Sequence, residues 1–258
     1  MLRVVAVLFC GAALLSVISN AQSAQLQGAL EERLSSDRLG RADAGSYLAG
    51  DQAAFTLDPA GANYLLSIDG TPEVFVLHPD SASMGGRILK YDSGETALLV
   101  SGWGALTLYT DSAPGGLPAV RTGDFVPPLQ TPVSLGELQG AAEEDTAQLA
   151  EIQHLSVSFR TDWAALSSNI QARVVAFEAL ENVARGIERF CGSPHGRNAL
   201  ARRLTAVTLA IAGRPTVTLE GKTLIVTFNP DMGYEGRASS RSISLALGSL
   251  FSAPRNQS

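Results

Sequence analysis

The chain has 258 residues, of which 45% are hydrophobic and 17% are charged, and its formal net charge is −6. This composition is typical of a globular protein and excludes a disordered chain. No run after residue 24 approaches the length of a membrane helix, so we expect no transmembrane segment in the mature protein. The mature length suits one large domain or two small ones that share a core.

The first 24 residues have the three parts of a secretory signal peptide. Arg3 supplies a positive charge, residues 4–18 are almost wholly apolar, and small residues occupy much of 19–24. The apolar run is short for a membrane anchor, although an uncleaved anchor helix is the alternative. We therefore expect cleavage near Ala21 to Ala24 and a periplasmic or secreted mature protein.

Cysteine content indicates the cellular compartment, and charge distribution indicates the kind of partner. Cys191 is the single cysteine after the signal, so no internal disulfide can form, and export without disulfides fits a bacterial envelope protein. Residues 25–159 hold 18 acidic and 6 basic side chains, whereas residues 160–258 hold 7 acidic and 12 basic ones. The arginines are dispersed with few aromatics among them, so we expect no nucleic acid partner. We interpret the asymmetry as attraction between two halves of one fold, or as solvated faces.

The start of the mature chain, residues 25–53, is predicted to form a helix followed by a loop. Leu26, Leu30 and Leu34 lie four apart, which places them on one helical face. Gly40 follows as a C-terminal stop signal. We expect a loose stretch after it.

Residues 54–132 have the short strands and turns of an antiparallel β meander, curled or sandwich-like. Two β-rich runs flank an Asp-Gly turn at 69–70, and two more flank residues 92–94, which predicts two hairpins. A further strand is predicted at 105–110, where Leu and Thr alternate. Residues 111–132 are rich in Gly and Pro and are predicted to form a linker or a surface loop.

Residues 133–213 are predicted to be helical, apart from 155–159, which fit either a strand or a continued helix. Ser134 opens the first helix with a capping box. Residues 161–191 carry apolar side chains at three-four spacing. A second helix is predicted to follow and to run to Ile211, which gives a helical hairpin.

Residues 214–258 complete the predicted fold with a β hairpin and a C-terminal segment. The hairpin occupies 216–228, and the apolar run at 243–251 fits a short closing helix or strand. We therefore predict an α+β fold, in which an antiparallel β meander and a C-terminal β hairpin pack with a long helical hairpin. Residues 25–258 form one mature domain in this interpretation. The long helical stretch leaves too few strands to close an outer-membrane barrel.

The triplet Asp92-Ser93-Gly94 matches the catalytic loop of an aspartic protease and also an ordinary hairpin turn. Those proteases need two carboxylates that share one proton, and this chain has one copy of the triplet. In a turn, Asp and Ser bond local backbone donors and Gly takes a positive φ. We predict a turn and assign it no catalytic residue.

Other candidate sites in the sequence are weak. Cys191 and His195 have the spacing of a thiolate and its base, but Gly and Pro between them separate their faces, so Cys191 is predicted to be a buried apolar residue. His78 and His154 are isolated, and no cluster has zinc spacing. The acidic run at 143–145 lacks the ligand pattern of a calcium loop. We predict no metal and no cofactor.

Two pairs of acids have a spacing compatible with glycosidase chemistry: Asp92 with Glu95, and Asp231 with Glu235. Acids in exposed turns are more often solvated charges. The sequence also lacks the serine-hydrolase motifs G-x-S-x-G and S-x-x-K and the phosphate-binding loop G-x-x-x-x-G-K-[ST]. These absences favour a protein that is not an enzyme.

Trp103 is the position with the strongest indication of a contact role. It lies between Gly102 and Gly104, which leaves the indole accessible for stacking on a sugar or on the surface of a partner. The alternative is that the indole caps the open end of the sheet. We select Trp103 as the candidate ligand or partner contact.

Four segments carry a resemblance to known sequences: the run at 85–95, the residues at 101–104 and 106–110 that follow it, and the corner at 190–194. They resemble a family of secreted bacterial proteins known as domain of unknown function 4908. The resemblance covers most of the mature chain. It implies an envelope setting and brings no activity, substrate, cofactor or catalytic residue.

Three functions are compatible with the sequence. The missing catalytic signatures favour a non-catalytic interaction or structural protein whose partner is an envelope component. The second is a module that binds a lipid or a small apolar ligand between sheet and helices. The third is a periplasmic hydrolase of cell-wall sugar or peptide, whose site is assembled from residues distant in sequence.

Overall fold

Two hydrophobic cores organise the protein, one inside a barrel and one between a mixed sheet and helices. The computed structural model describes residues 40–51, 53–127 and 131–252. The signal peptide and the helix predicted within 25–39 lie outside these residues. The predicted α+β class, with antiparallel sheet and helices, is confirmed.

The first eight strands close an antiparallel barrel. They are β1 (Gly45–Ala49), β2 (Ala53–Ala60), β3 (Asn63–Ile68), β4 (Val74–Ser81), β5 (Arg87–Lys90), β6 (Thr96–Val100), β7 (Leu106–Leu108) and β8 (Leu117–Gly123). Each strand pairs with the next, and β1 pairs with β8. The hairpins predicted around 69–70 and 92–94 are confirmed as β3–β4 and β5–β6.

Closure of the sheet corrects two predictions. Strand β1 lies in the predicted N-terminal loop and β8 lies in the predicted surface loop at 111–132. The expectation that too few strands remain to close a barrel is therefore wrong. Both strands carry few large apolar side chains, and most of β8 is exposed, so the alternation that signals a strand is weak there. Closure pairs the two edges that an open meander would expose.

Side chains fill the interior of the barrel. In each strand every second residue points inward, and eight strands leave an interior about as wide as the side chains that fill it. The largest fully buried ones are Phe55, Leu57, Leu66, Leu77, Leu89, Leu98 and Leu108. The barrel is thus a packed core.

The two ends of the barrel differ in their surroundings. One end contacts the second half of the chain, and we call it the docked end; it consists of the loops at 69–73, 91–95 and 109–116. The opposite end, which we call the free end, consists of the loops at 61–62, 82–86 and 101–105.

The second half of the chain forms a mixed sheet covered by helices. Its strands are β9 (Ser158–Thr161), β10 (Ala206–Ile211), β11 (Thr216–Glu220) and β12 (Thr223–Phe228). Its helices are α1 (Leu135–Gln153), α2 (Trp163–Ser167), α3 (Ile170–Cys191), α4 (Pro194–Arg203) and α5 (Ser240–Ser252). The order is β11-β12-β10-β9, in which β10 runs parallel to both neighbours and β11 runs antiparallel to β12.

Several predictions for this half hold and others need correction. The capping box of α1, the hairpin at 216–228 and a helix over 243–251 are confirmed. The predicted helix at 161–191 is interrupted, because the Asn169 side chain caps α3 by accepting from the Ala172 amide at 2.9 Å. The helix predicted to reach Ile211 ends at 203, and the buried run that follows is β10, one of the two inner strands of the sheet.

Helix α3 is the centre of the second core and packs against both α1 and α5. Gly186 lies where α3 meets α5: a Cβ added there would lie 2.6 Å from Cγ2 of Ile243. The two helices therefore approach closely only because residue 186 has no side chain. None of the described helices combines the length and apolar character needed to span a bilayer.

Candidate functional site

The Asp92-Ser93-Gly94 turn lies at the docked end. The Gly94 amide donates to the Tyr91 carbonyl at 2.9 Å, and Gly94 has a φ of +88°, which confirms the predicted turn. The Asp92 carboxylate accepts from the Ser239 amide at 2.8 Å and from the Ser239 hydroxyl. Ser239 immediately precedes α5, so this turn holds the start of a helix in the other half of the molecule.

A second carboxylate binds the same helix start. Glu73, in the β3–β4 loop, accepts from the Ser240 amide at 2.8 Å and from the Ser240 hydroxyl at 2.5 Å. Glu73 is 2% exposed, and this burial raises its pKa, while the bonds from Ser240 and the charge of Arg185 oppose the rise. Negative groups at a helix N-terminus are stabilised by the helix dipole and by unpaired amides. Asp92 and Glu73 therefore fix α5 on the barrel.

Arg237 lies beside these acids and contacts three segments: α3, β4 and the residues just before it in the chain. Its side chain is buried and lies 2.9 Å from the Glu178 carboxylate of α3. It also donates to the Tyr234 carbonyl at 2.7 Å and to the Val74 carbonyl of β4 at 3.2 Å. The buried Asn182 side chain adds a bond to the Ala238 carbonyl at 3.0 Å. The segment before α5 is thus bonded both to helix α3 and to strand β4.

Ion pairs join the acidic barrel to the basic second half. Arg241 stacks at 4.4 Å over the Tyr91 ring and pairs with Glu95 at 2.9 Å and Asp111 at 2.8 Å. Arg189 also pairs with Asp111. Attraction between the two halves, which the charge asymmetry suggested, is therefore present as specific contacts within the described residues.

A cleft of about 440 Å³ lies next to this interface. Its floor is the outer face of β4, and one wall comes from β11 and the residue before it. The other walls are the 3-10 segment Pro230–Gly236 and helix α5. The lining is Val74, Val76, His78, Asp92, Asn182, Pro215, Thr216, Val217, Met232, Tyr234, Glu235, Arg237, Ala238, Ser239, Ser242 and Ala246.

The polar groups at the rim of the cleft are linked by Asn63. Its side-chain oxygen lies 3.1 Å from Nδ1 of His78, and its side-chain nitrogen donates to Glu235 at 2.8 Å. His78 and Glu235 are exposed, so the three side chains form a chain of hydrogen bonds at the surface. The remaining oxygen of Glu235 and Nε2 of His78 have no partner among the described residues.

The structure separates the acids that the sequence had paired. His78, Asp92 and Glu235 line the cleft, whereas Glu95 pairs with Arg241 and Asp231 lies outside the lining. Neither of the predicted acid pairs therefore meets in this cleft.

Cys191 and His195 form no site. Cys191 is fully buried, and burial raises the pKa of its thiol to about 11, which keeps it protonated at neutral pH. His195 is exposed at the start of α4. Cys191 is thus confirmed as a buried apolar residue. Across 40–51, 53–127 and 131–252 no three His, Cys, Asp or Glu side chains are placed to hold a metal ion.

Trp103 lies at the free end, in the turn between β6 and β7, and is 78% exposed. The indole therefore does not cover the end of the barrel that the described residues form. Its role as a ligand or partner contact stays a prediction.

The residues that fix the interface were not among the predicted site residues; they are above all Arg237, Ser239 and Asn63. One signal was present. Ser239 and Ser240 precede an apolar run, which is the pattern of a helix N-terminus and calls for a partner to its free amides. Asn63 lies at the start of a strand and has no comparable signal.

Comparisons with known proteins place the chain in a family. A search of curated proteins and a search of solved structures each give no match. The model of the family described as "Domain of unknown function (DUF4908)" matches residues 26–247. This match covers the barrel, the mixed sheet and more than half of α5, and the resemblance seen in the sequence is confirmed. The chain therefore belongs to the DUF4908 family of domains of unknown function.

Proposed function

We propose that the protein is an exported, non-catalytic interaction module of the bacterial envelope, and that its cleft binds an extended segment of an envelope partner. The observation that carries the proposal is the unpaired edge of β11 beside the cleft. Among the described strands β11 pairs with β12 alone, so its other edge offers backbone donors and acceptors.

The start of β11 lies at the cleft. Thr216 and Val217, the first two residues of the strand, line it together with Pro215, although neighbouring side chains of a strand point to opposite faces. Contributions from both faces favour contact along the edge of the strand at this point. An added strand from a partner would bond to β11 by β-augmentation, in which the backbone supplies affinity and side-chain pockets supply specificity.

The floor of the cleft supplies those side-chain contacts. Val74 and Val76 from β4 and Met232 from the opposite wall offer apolar surface, and Glu235 and His78 offer polar contacts at the rim. The volume of about 440 Å³ lies within the range of small binding sites. We expect a partner segment of about five residues, the length of β11, with apolar side chains toward β4.

Burial and bonding of the acids favour binding over catalysis. Both oxygens of Asp92 are bonded to Ser239, and Glu73 is buried under α5. The thiol of Cys191 is fully buried. A general base must be free to reach the proton that it removes, and these groups are not.

The test compares two arginine substitutions of the mature protein. Val76→Arg places a long charged side chain in the cleft, whereas Val120→Arg places it on the outer face of β8, where Val120 is 64% exposed. We expect the tagged wild-type protein and Val120→Arg to retain one envelope protein after cross-linking, and Val76→Arg to lose it. Equal capture by both variants would contradict the proposal.

Export is part of the proposal and has its own measurement. The charged start, apolar run and small-residue exit of the first 24 residues support cleavage by a signal peptidase. The intact mass of protein recovered from the periplasm or medium is expected to correspond to a chain that begins between residues 22 and 25. A full-length chain in the cytoplasm would contradict export.

A hydrolase is the second candidate, because His78, Asp92 and Glu235 share one cleft. Asn63 orients the His78 ring and leaves Nε2 free to act as a base. If this candidate is correct, purified protein cleaves cell-wall peptide or glycan, and His78→Ala abolishes the cleavage while His154→Ala does not. Absence of any cleavage by the wild type, together with the capture result above, would reject it.

A further inference from the structure

A second cavity, of about 300 Å³, lies beside the cleft on the outer face of the barrel, and we call it the side pocket. Val74 and Tyr234 line both the cleft and the side pocket, so the two spaces adjoin at these residues. The rest of the lining is Thr56, Asp58, Leu65, Ser67, Phe125 and Pro127. The side pocket therefore continues the surface of the cleft from β4 across β3 and β2.

The floor of the side pocket is the outer face of three paired strands. Thr56, Ser67 and Val74 form one row across β2, β3 and β4. Asp58 and Leu65 form the next row. Because alternate residues of a strand point to the same face, these side chains project outward together. The Asp58 carboxylate is thus carried by a strand of a closed barrel.

The walls of the side pocket are aromatic and apolar. Phe125 and Pro127 come from the segment that follows β8, and Tyr234 comes from the 3-10 segment. Arg237 lies 4.9 Å over the Tyr234 ring and donates to the Tyr234 carbonyl at 2.7 Å, and these contacts hold the ring in place. Such walls suit the methylene stem of a long side chain, and aromatic rings also attract cations.

Asp58 is the charged residue among the described residues that line the side pocket, and it is partly buried. Two basic residues beside β4 are already paired, Arg237 with Glu178 at 2.9 Å and Lys90 with Asp80 at 2.7 Å. Within the described part of the chain no hydrogen bond or ion pair reaches the Asp58 carboxylate. A carboxylate that is partly withdrawn from water without a partner favours a cationic group.

We propose that the side pocket binds a lysine or arginine side chain of the partner segment that occupies the cleft. The stem of that side chain packs on Leu65 and Phe125, and its cationic head pairs with Asp58. This inference rests on the proposed function, because the segment in the cleft supplies the side chain. The pocket makes recognition selective, since a segment without a basic residue at this position leaves Asp58 unpaired.

Selection from a phage-displayed library of random nonapeptides tests the charge preference. Nonapeptides are longer than β11, so that one peptide can reach both spaces. We expect the peptides that bind the wild-type protein to share one basic position. Asp58→Asn is expected to lose this preference, and Asp58→Arg is expected to select an acidic residue at the same position. Asp69→Asn, which neutralises an exposed acid in the β3–β4 turn, is the matched control and should keep the basic position.

Affinity measurements with the tightest synthetic peptide give the size of the effect. Replacing its basic residue by norleucine keeps an apolar stem and removes the charge. Either this change or Asp58→Asn is expected to weaken binding about tenfold. The two changes together are expected to weaken binding no further, because both remove the same contact. Thermal unfolding of Asp58→Asn checks that the variant keeps its fold.

The outcomes separate this inference from the proposed function. Enriched peptides that Val76→Arg no longer binds, but that share no basic position, would overturn the side-pocket assignment and leave the proposed function standing. Additive effects of the two changes in the affinity measurement would also overturn it. If no peptide is enriched, or if Val76→Arg binds the enriched peptides as well as the wild type does, the proposed function is wrong and the inference is wrong with it.

Discussion

Two buried carboxyl groups in this protein have unequal surroundings. Glu73 receives two hydrogen bonds from Ser240. Asp145, on α1, has an oxygen that is buried without a hydrogen-bond partner. Burial raises the pKa of Asp145 from 3.8 to about 7, and the nearby Glu181 adds to the rise. Asp145 is therefore charged in the folded protein only at a cost.

Replacement of Asp145 by Asn is expected to stabilise the protein at high pH. Because the pKa is raised on folding, the wild type loses stability as pH rises from about 4 to about 7. A shift of about three units corresponds to at most about 4 kcal/mol, and water near the helix surface reduces it. We expect Asp145→Asn to raise the unfolding free energy by about 1–3 kcal/mol at pH 8 and to have no such effect below pH 4.

Urea unfolding across that pH range measures the effect. Glu143→Gln removes an exposed charge from the same helix and is the matched control, with a change of about 0.5 kcal/mol or less. A benefit of Asp145→Asn that is constant with pH would contradict the assignment.

At the residue scale, the sequence predicted the features that depend on neighbouring residues in the chain. The turn at Asp92 and the buried state of Cys191 follow from neighbouring residues, and both were predicted. The bond from Ser239 to Asp92 joins residues 147 positions apart, and no local pattern encodes it. Long-range polar partners of this kind require the fold to be known first.

At the scale of elements, two helical glycines allow the effect of close packing to be separated from the effect of helix propensity. Gly186 of α3 lies against Ile243 of α5, and a Cβ there would meet atoms at 2.6 and 2.8 Å. A Cβ added to Gly140 of α1 would have no neighbouring atom within 4 Å. The two sites share a helical backbone and differ in their neighbours.

Alanine at these sites is expected to act in opposite directions. Gly140→Ala should raise the unfolding free energy by about 0.5–1 kcal/mol, because alanine has the better helix propensity. Gly186→Ala should lower it by about 1–3 kcal/mol, because α3 and α5 must separate. Thermal and urea unfolding measure both changes, and stabilisation by Gly186→Ala would show that α3 and α5 are not in close contact.

Elements with a strong period were predicted, and elements that depend on tertiary pairing were not. Helix α3 and the β11–β12 hairpin carry their apolar pattern in full. Strand β10 is apolar except for Thr208, a run that fits a buried helix equally well, and its pairing with β9 and β12 decides the outcome. Strand β8 carries few inward apolar residues, so only closure of the barrel identifies it.

On the scale of the whole molecule, two cores are joined through the start of one helix. Asp92 and Glu73 come from separate barrel loops, and both bind the residues that begin α5. The ion pairs of Arg241 reinforce the same face. The orientation of the barrel on the mixed sheet therefore depends on a small set of polar contacts.

Asp92→Ala is expected to loosen this junction without unfolding the barrel turn. Loss of a carboxylate cap costs about 1–2 kcal/mol. We expect a fall of that size in the unfolding free energy, with faster amide exchange at the first turn of α5. Asp69→Ala, in the neighbouring turn where the acid is exposed, is the control and should change neither quantity. Equal effects of the two substitutions would contradict the assignment.

The position of α5 also sets an order in time. Glu73 and Asp92 are made early, yet their partners Ser240 and Ser239 lie 167 and 147 residues later, at the start of the last described helix. During synthesis, the barrel loops therefore carry two acids without these hydrogen-bond partners until residues 239 and 240 have emerged. A chain that stops before α5 can pair all eight barrel strands but leaves these acids open to solvent. Such a product therefore lacks the hydrogen bonds that hold the start of α5 on the barrel.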